Sequence, residues 1–329
     1  MKLSDFDYNL LKELIAQYPL KDRADARLLV LNRSKGTIEH LVFRDFPGFL
    51  KKDDLLVLND SKVLSCRLIG KRKTGGKVEL LLLGSKSELV FDALVKPARI
   101  KIGETVFFGE NNVSAVLSAK NEVSFQAKDK DEVYSLGKMP LPPYIKREPE
   151  ELDYDYYQTV YARNKGSIAS PTAGLHFTSS ILKEIKEKGV NIAYVTLHVG
   201  YATFKPVKSD DITSHVMGKE YFVINNETAK LIEESQSKKN RICAVGTTSC
   251  RVLETYASGI KEGYTNLFIY PGYRFKMVDH LLTNFHLPKT TLFMLVCAFA
   301  GEKLARKAYS EAIDKKYRFY SYGDAMLII

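Results

Sequence analysis

Three of the six histidines in this 329-residue chain, His176, His198 and His215, fall within one stretch of the second half. An imidazole has an ordinary pKa near ~6.5, so each can take or give a proton around neutrality. His176 lies in the run SPTAGLHFT (residues 170–178), where Thr172 offers a hydroxyl and Ala173 and Gly174 let backbone approach a ligand closely. Taken singly, a tight turn and a buried histidine satisfied by backbone explain the same residues. His198 is followed by Val199 and Gly200 at the end of an expected strand, with Thr203 just beyond. Histidine is a common metal ligand, and Glu220 and Asp279 could complete a set. The spacings match neither a helical i,i+4 pair nor a zinc signature, so no metal site is expected.

Three further stretches carry polar groups. Residues 245–251 (VGTTSCR) bring Thr247, Thr248 and Arg251 to a strand–turn–helix, a place suited to a carboxylate or phosphate. No phosphate-binding G-x-x-x-x-G-K-[ST] loop is present, and ordinary capping by Thr248 or Ser249 accounts for the turn equally well. Residues 279–288 (DHLLTNFHLP) add Asp279, Asn284 and His286, and residues 320–324 (YSYGD) add Tyr322 and Asp324. Residues 61–78 carry Lys62, Arg67, Lys71, Arg72, Lys73 and Lys77 with no acid among them. Such a ribbon suits phosphate contacts on nucleic acid, and also suits a merely solvated face.

These residues must be positioned by a mixed α and β frame. Residues 27–31 and 38–43 flank a turn and read as a hairpin, and 55–58 as a short apolar strand. From 62 to about 128, strand-like segments alternate with glycine-bearing turns, which predicts a small all-β barrel or sandwich. The prolines of residues 139–144 (MPLPPY) exclude helix and central strand and predict a rigid extended linker. Beyond it, strand and helix alternate: helices after the Thr178–Ser180 cap, over 227–235, from Ser249, over 292–300 and over 302–315, with strands at 192–199, 241–245, 265–270 and 325–329. The expected architecture is an α/β fold in which residues 1–61 and 149–329 form one larger mixed α/β domain and 62–148 an inserted all-β barrel-like domain.

Composition narrows the class. The net charge of +10 favours an acidic partner such as nucleic acid. Cys66, Cys243, Cys250 and Cys297 have no C-x-x-C spacing, as expected of reduced, buried thiols in a cytoplasmic protein. The longest apolar run, residues 292–300, is far too short to cross a membrane, and acids occupy the first residues where a signal peptide needs an apolar core. From the residues alone the reading is a cytoplasmic α/β enzyme with a polar, histidine-bearing cleft, acting on nucleic acid. A metal-dependent nucleic-acid hydrolase and a non-catalytic tRNA-binding protein stand as alternatives.

Together the stretches resemble the S-adenosylmethionine:tRNA ribosyltransferase-isomerases of queuosine synthesis. The runs that carry the likeness include 54–67 (DLLVLNDSKVLSCR), 74–83 (TGGKVELLLL), 139–145 (MPLPPYI), 157–163 (YQTVYAR), SPTAGLHFT, 195–207 (VTLHVGYATFKPV), 245–255 (VGTTSCRVLET), 268–273 (FIYPGY), 281–301 and 317–328 (YRFYSYGDAMLI). They follow one another in the same order through nearly the whole chain. The sequence departs from the family after His215, where Gly218 and Lys219 stand in place of a second histidine, and in smaller ways at Tyr201, Ala202 and Cys250.

The resemblance implies transfer and isomerisation of the ribosyl unit of S-adenosylmethionine onto 7-aminomethyl-7-deazaguanine at the tRNA wobble position, with release of adenine and methionine. S-adenosylmethionine is then a consumed substrate, with no further cofactor, and the protein is expected to act as a monomer. It implies His176, His198, His215, Asp279 and His286 as acid–base candidates. Thr172, Gly174, Gly200, Thr203, Glu220, Thr247, Thr248, Arg251, Tyr270, Asn284, Tyr322 and Asp324 are the substrate-binding candidates, and the basic ribbon the tRNA contact.

Overall fold

The computed structural model describes residues 1–109, 113–201, 207 and 209–329. The first hairpin pairs β1 (Arg27–Asn32) with β2 (Thr37–Val42). Its turn is held by the Asn32 carboxamide oxygen, which accepts from the Lys35 amide at 3.0 Å. β3 (Leu55–Asn59) is buried at all five positions, as a continuous apolar run dictates for a strand covered on both faces. After β3 the chain leaves this sheet through the short β4 (Ser61–Val63).

The glycine-punctuated segment forms β5 (Arg67–Arg72), β6 (Lys77–Ser85), β7 (Val90–Lys96), β8 (Thr105–Phe108), β9 (Val113–Ala119) and β10 (Glu122–Gln126). These six close into a barrel in the order β10-β7-β6-β5-β8-β9. Alternate residues, among them Leu68, Leu80, Phe91, Val106 and Phe125, fill its interior. A short helix that the sequence reading did not anticipate, α1 (Lys130–Ser135), follows, capped by the Asp129 carboxylate and adding Val133 to the barrel core.

The 139–144 segment is not a spacer. Met139, Pro140, Pro142 and Ile145 are buried, and Met139 and Ile145 pack with Tyr157, Leu175 and Tyr322. Proline prevents regular pairing, but an extended segment can still be buried by its side chains. It leads to α2 (Glu151–Tyr156) and β11 (Asn164–Ser167), the latter parallel to β4.

The rest comprises α3 (Ser179–Glu187), β12 (Asn191–Leu197), β13 (Glu220–Val223), α4 (Asn226–Ser237), β14 (Ile242–Val245), α5 (Gly246–Tyr256), β15 (Glu262–Thr265), β16 (His280–Asn284), α6 (Thr291–Ala300), α7 (Glu302–Asp314) and β17 (Ala325–Ile328). The large sheet runs β15-β13-β12-β3-β14-β16-β17-β1-β2, with β12, β3, β14 and β16 mutually parallel at its centre. Period-two alternation sends Leu29, Leu31 and Val57 to the face covered by α4 to α7. It sends Leu28, Val30, Leu56 and Leu58 to the face covered by α3, Phe43 and Phe46.

Two expectations shift. The expected helix from Ser249 already begins at Gly246, and the expected strand at 265–270 is instead β15, ending at Thr265. No helix among the described residues is long and apolar enough to cross a membrane. All four cysteines are buried and unpaired.

Candidate active site

A cleft opens where the central parallel strands end. In α/β sheets this is where ligands bind, beyond the carboxyl ends of the strands. Its walls come from residues 169–173, from Gly246, Thr247 and Thr248 after β14, from Thr283, Asn284 and His286 around the end of β16, and from Tyr144, Tyr157, Tyr320 and Ser321. The frame is fixed by side chains at the strand ends. Asn59, at the end of β3, donates to the Leu197 carbonyl and accepts from the Leu197 amide, both at 3.0 Å. Asp60, 2% exposed, accepts from Asn164 at 3.0 Å, Thr196 at 2.6 Å and Arg163 at 2.6 Å.

SPTAGLHFT, DHLLTNFHLP and VGTTSCR converge here. The Thr172 hydroxyl donates to the Asn284 carboxamide oxygen at 3.0 Å, and the Asn284 amide donates to His176 Nε2 at 3.1 Å. Asn284 lines the cleft while His176 stands behind it, its ring 5.0 Å from that of Phe43. His286 does face the cleft, with Nε2 2.8 Å from the Thr283 hydroxyl. Burial pushes both imidazoles down to about 3, so both are neutral at physiological pH. A neutral imidazole here orients neighbours by hydrogen bonding rather than acting as a charged acid.

His198 follows β12, beside the cleft-lining Val199. Its Nδ1 is 2.7 Å from the Ser61 hydroxyl, which is itself 2.8 Å from that of Ser167. A Cβ on Gly166 would lie 2.7 Å from the His198 ring, so glycine is what allows the ring to lie against this strand. Burial lowers the His198 pKa, and the neighbouring Asp60 carboxylate opposes that shift. The ring is therefore anchored through Nδ1, and no described residue bonds Nε2.

Behind this strand end lies a buried charge pair. The Glu220 carboxylate accepts from the Gly200 amide at 3.0 Å and is ion-paired with Arg251. Arg251 also donates from Nε to the Leu267 carbonyl at 3.0 Å. Glu220 and Arg251 thus tie the segment after β12 and the start of β13 to the middle of α5, and neither lines the cleft. His215 packs edge-on against Phe268 at 5.3 Å, and Phe268 contacts Tyr270 at 5.0 Å. Burial lowers the His215 pKa. Thr203 lies outside the described residues.

Other candidates are placed elsewhere. Asp279 precedes β16, at the opposite end of that strand from the cleft, where its carboxylate accepts from the Ile242 amide at 2.8 Å. Gly174 is small for packing: a Cβ there would meet the Tyr161 hydroxyl at 2.0 Å. The Tyr322 hydroxyl donates to Asp153 at 2.6 Å. Asp324 holds the Arg27 and Arg318 amides at 3.0 and 2.8 Å. Both close the chain end and leave the cleft wall to Tyr320 and Ser321. Tyr320 has φ +74°, a left-handed turn that alters which side chains of YSYGD face the cleft. Tyr144 and Tyr157, in MPLPPYI and YQTVYAR, are wall residues that residue types alone did not single out, because nothing local marks a phenol as facing a cavity.

The basic ribbon divides in two. Arg67 is paired with Glu79 and Glu148, and Arg72 with Glu104. Lys62, Lys71, Lys73 and Lys77 are exposed. Among the described residues no group of three or more His, Cys, Asp or Glu side chains is placed to hold a metal ion.

Fold and site define an α/β protein with a polar cleft at its strand ends and a small closed β-barrel. The chain belongs to the queuosine biosynthesis protein family, whose model matches residues 3–328. It is 54% identical over 336 residues to the S-adenosylmethionine:tRNA ribosyltransferase-isomerase of Sulfurihydrogenibium sp. (strain YO3AOP1), with each chain covered in full. The enzyme of the same name from Caldanaerobacter subterraneus subsp. tengcongensis is 49% identical over 343 residues, again with full coverage of both. The crystal structure of S-adenosylmethionine tRNA ribosyltransferase from Thermotoga maritima is similar with a TM-score of 0.58 and 37% identity, over 99% of this chain and 100% of that one.

Proposed function

We propose that this protein transfers and isomerises the ribosyl moiety of S-adenosylmethionine onto 7-aminomethyl-7-deazaguanine in the wobble position of tRNA. Adenine and methionine leave, epoxyqueuosine-tRNA is formed, and S-adenosylmethionine is consumed as a substrate. The observation that carries this reading is full-length similarity to enzymes of that name, with the resembling motifs gathered around one cleft. In the same reading the protein works in the cytoplasm as a monomer, and residues 62–148 form an insert in a domain built from 1–61 and 149–329.

The chemistry needs a base for the ribose carbon beside the sulfonium, an acid or hydrogen-bond donor for departing adenine, and a proton acceptor for the attacking amine. His198 is the best-placed base: its Nδ1 is anchored by Ser61, and burial keeps the ring neutral and able to accept a proton. His215 is the second candidate. His176 is a positioning residue, acting through Asn284, and His286 and Thr283 form a neutral hydrogen-bonding wall. The exposed lysines of the barrel hairpin and Lys62 serve the tRNA backbone.

Adenine release from S-adenosylmethionine, measured with and without tRNA bearing 7-aminomethyl-7-deazaguanine, tests the function. Release is expected only with the modified tRNA and is expected to survive chelation of divalent metals. Release that ignores the tRNA, or that stops on chelation and returns with zinc or manganese, would contradict the reading.

A further inference from the structure

The helix α5 presents an unusual amino end to the cleft. Val245, its N-cap residue, supplies no side-chain cap, and the first-turn amides of Thr247 and Thr248 have no intrahelical carbonyl to bond. Gly246 enters the helix with φ +86°, a conformation that a side chain would strain. The positive end of the helix is therefore left open toward the cleft wall that these residues form.

A second observation comes from the same cleft. Ser170 is only 5% exposed, lines the cleft, and its buried hydroxyl has no partner among the described residues. A buried hydroxyl left unsatisfied is costly, and such a group calls for water, an ion or a ligand to complete it. The Thr247 hydroxyl likewise makes no hydrogen bond among the described residues, although Thr247 is 7% exposed.

The charge of the site selects the ligand. Among the described residues no Lys, Arg, Asp or Glu lines the cleft, and His286 is neutral. A phosphodiester of tRNA would find no cation here; the exposed lysines stand on the barrel hairpin. A carboxylate carried by a small molecule that also bears positive charge suits neutral donors and a helix end. The phenol rings of Tyr144 and Tyr320, 3.9 Å apart, with Tyr157, offer electron-rich surface to a sulfonium in the same cavity.

We propose that the open amino end of α5, with the Thr247 and Ser170 hydroxyls, is the subsite for the carboxylate of the amino-acid end of S-adenosylmethionine. This assignment rests on the function proposed above. It departs from the sequence-based expectation by replacing Arg251, which is committed to Glu220 and Leu267, with Ser170.

The test compares S-adenosylmethionine with its decarboxylated analogue on the full-length protein, by equilibrium binding and by KM. The unaltered protein should prefer the carboxylate form by about tenfold or more, the scale of a charge-assisted hydrogen bond. In the S170A/T247V double variant that preference should collapse toward one, with KM for the modified tRNA unchanged. T247S should restore most of what T247V alone loses, and this pair decides the matter if the double variant does not fold. An undiminished preference in the variants overturns the assignment, as does a raised KM for tRNA with the preference intact, which would mark a phosphate site. If the unaltered protein acts on S-adenosylmethionine and only the preference fails to respond, this subsite alone falls. If the unaltered protein neither binds S-adenosylmethionine nor releases adenine, the proposed function falls with it.

Discussion

At the scale of single residues, histidines of similar promise in sequence separate by environment. His176 and His286 are enclosed and lose their basicity to desolvation, whereas His198 and His215 remain partly exposed. This separation has a thermodynamic consequence. In the unfolded chain each buried histidine takes a proton near its ordinary pKa of 6.5, but in the folded protein only near about 3. The stability they contribute is complete above pH 6.5 and is lost as pH falls from there toward 3, by about 1 kcal/mol per pH unit for each. Thermal denaturation should show Tm dropping between pH 7 and pH 4, and His286→Gln should flatten that drop. A Tm insensitive to pH across this window would contradict the assigned burial. The sequence pointed to these histidines but could not rank them, because burial depends on partners such as Phe43 and Tyr309 that are distant along the chain.

At the scale of elements, patterns with a strong period were legible and short polar ones were not. The first hairpin, β3, the alternating strands of the barrel, and α4, α6 and α7 follow from apolar periodicity and turn residues. β13 and β16 did not stand out, since four- and five-residue strands containing Glu, His, Thr and Asn carry little periodic signal. The basic ribbon shows the same limit. A run of cations was visible, but the pairing of Arg67 with Glu79 on β6, and of Arg72 with Glu104 just before β8, required the barrel's register. Replacing Lys71, Lys73 and Lys77 with Glu should weaken tRNA binding and flatten its salt dependence, by about one unit of slope for each phosphate no longer neutralised. Binding of S-adenosylmethionine should be unchanged. Filter-binding or anisotropy titrations at several salt concentrations measure this, and an unaltered tRNA affinity would remove the barrel hairpin from the interface.

At the scale of the whole molecule, the motifs scattered from Tyr144 to Ser321 gather because the parallel strands β3, β12, β14 and β16 all end on one side. The order of motifs along the chain was enough to see a family resemblance. Residue chemistry alone reached only a polar, histidine-bearing cleft, because which strand ends adjoin is decided by crossover connections rather than local pattern. Asp279 illustrates the point: it is close in sequence to Asn284 and His286, yet β16 carries it to the far end of the sheet.

The mass of the product formed on tRNA distinguishes ribosyl transfer from every other use of S-adenosylmethionine. Purified protein, S-adenosylmethionine and tRNA bearing 7-aminomethyl-7-deazaguanine would be incubated, and the nucleosides then analysed by mass spectrometry. The modified nucleoside should gain a ribosyl-derived unit, in step with the adenine released. A gain corresponding to a methyl group, or adenine release with an unchanged nucleoside, would contradict ribosyl transfer.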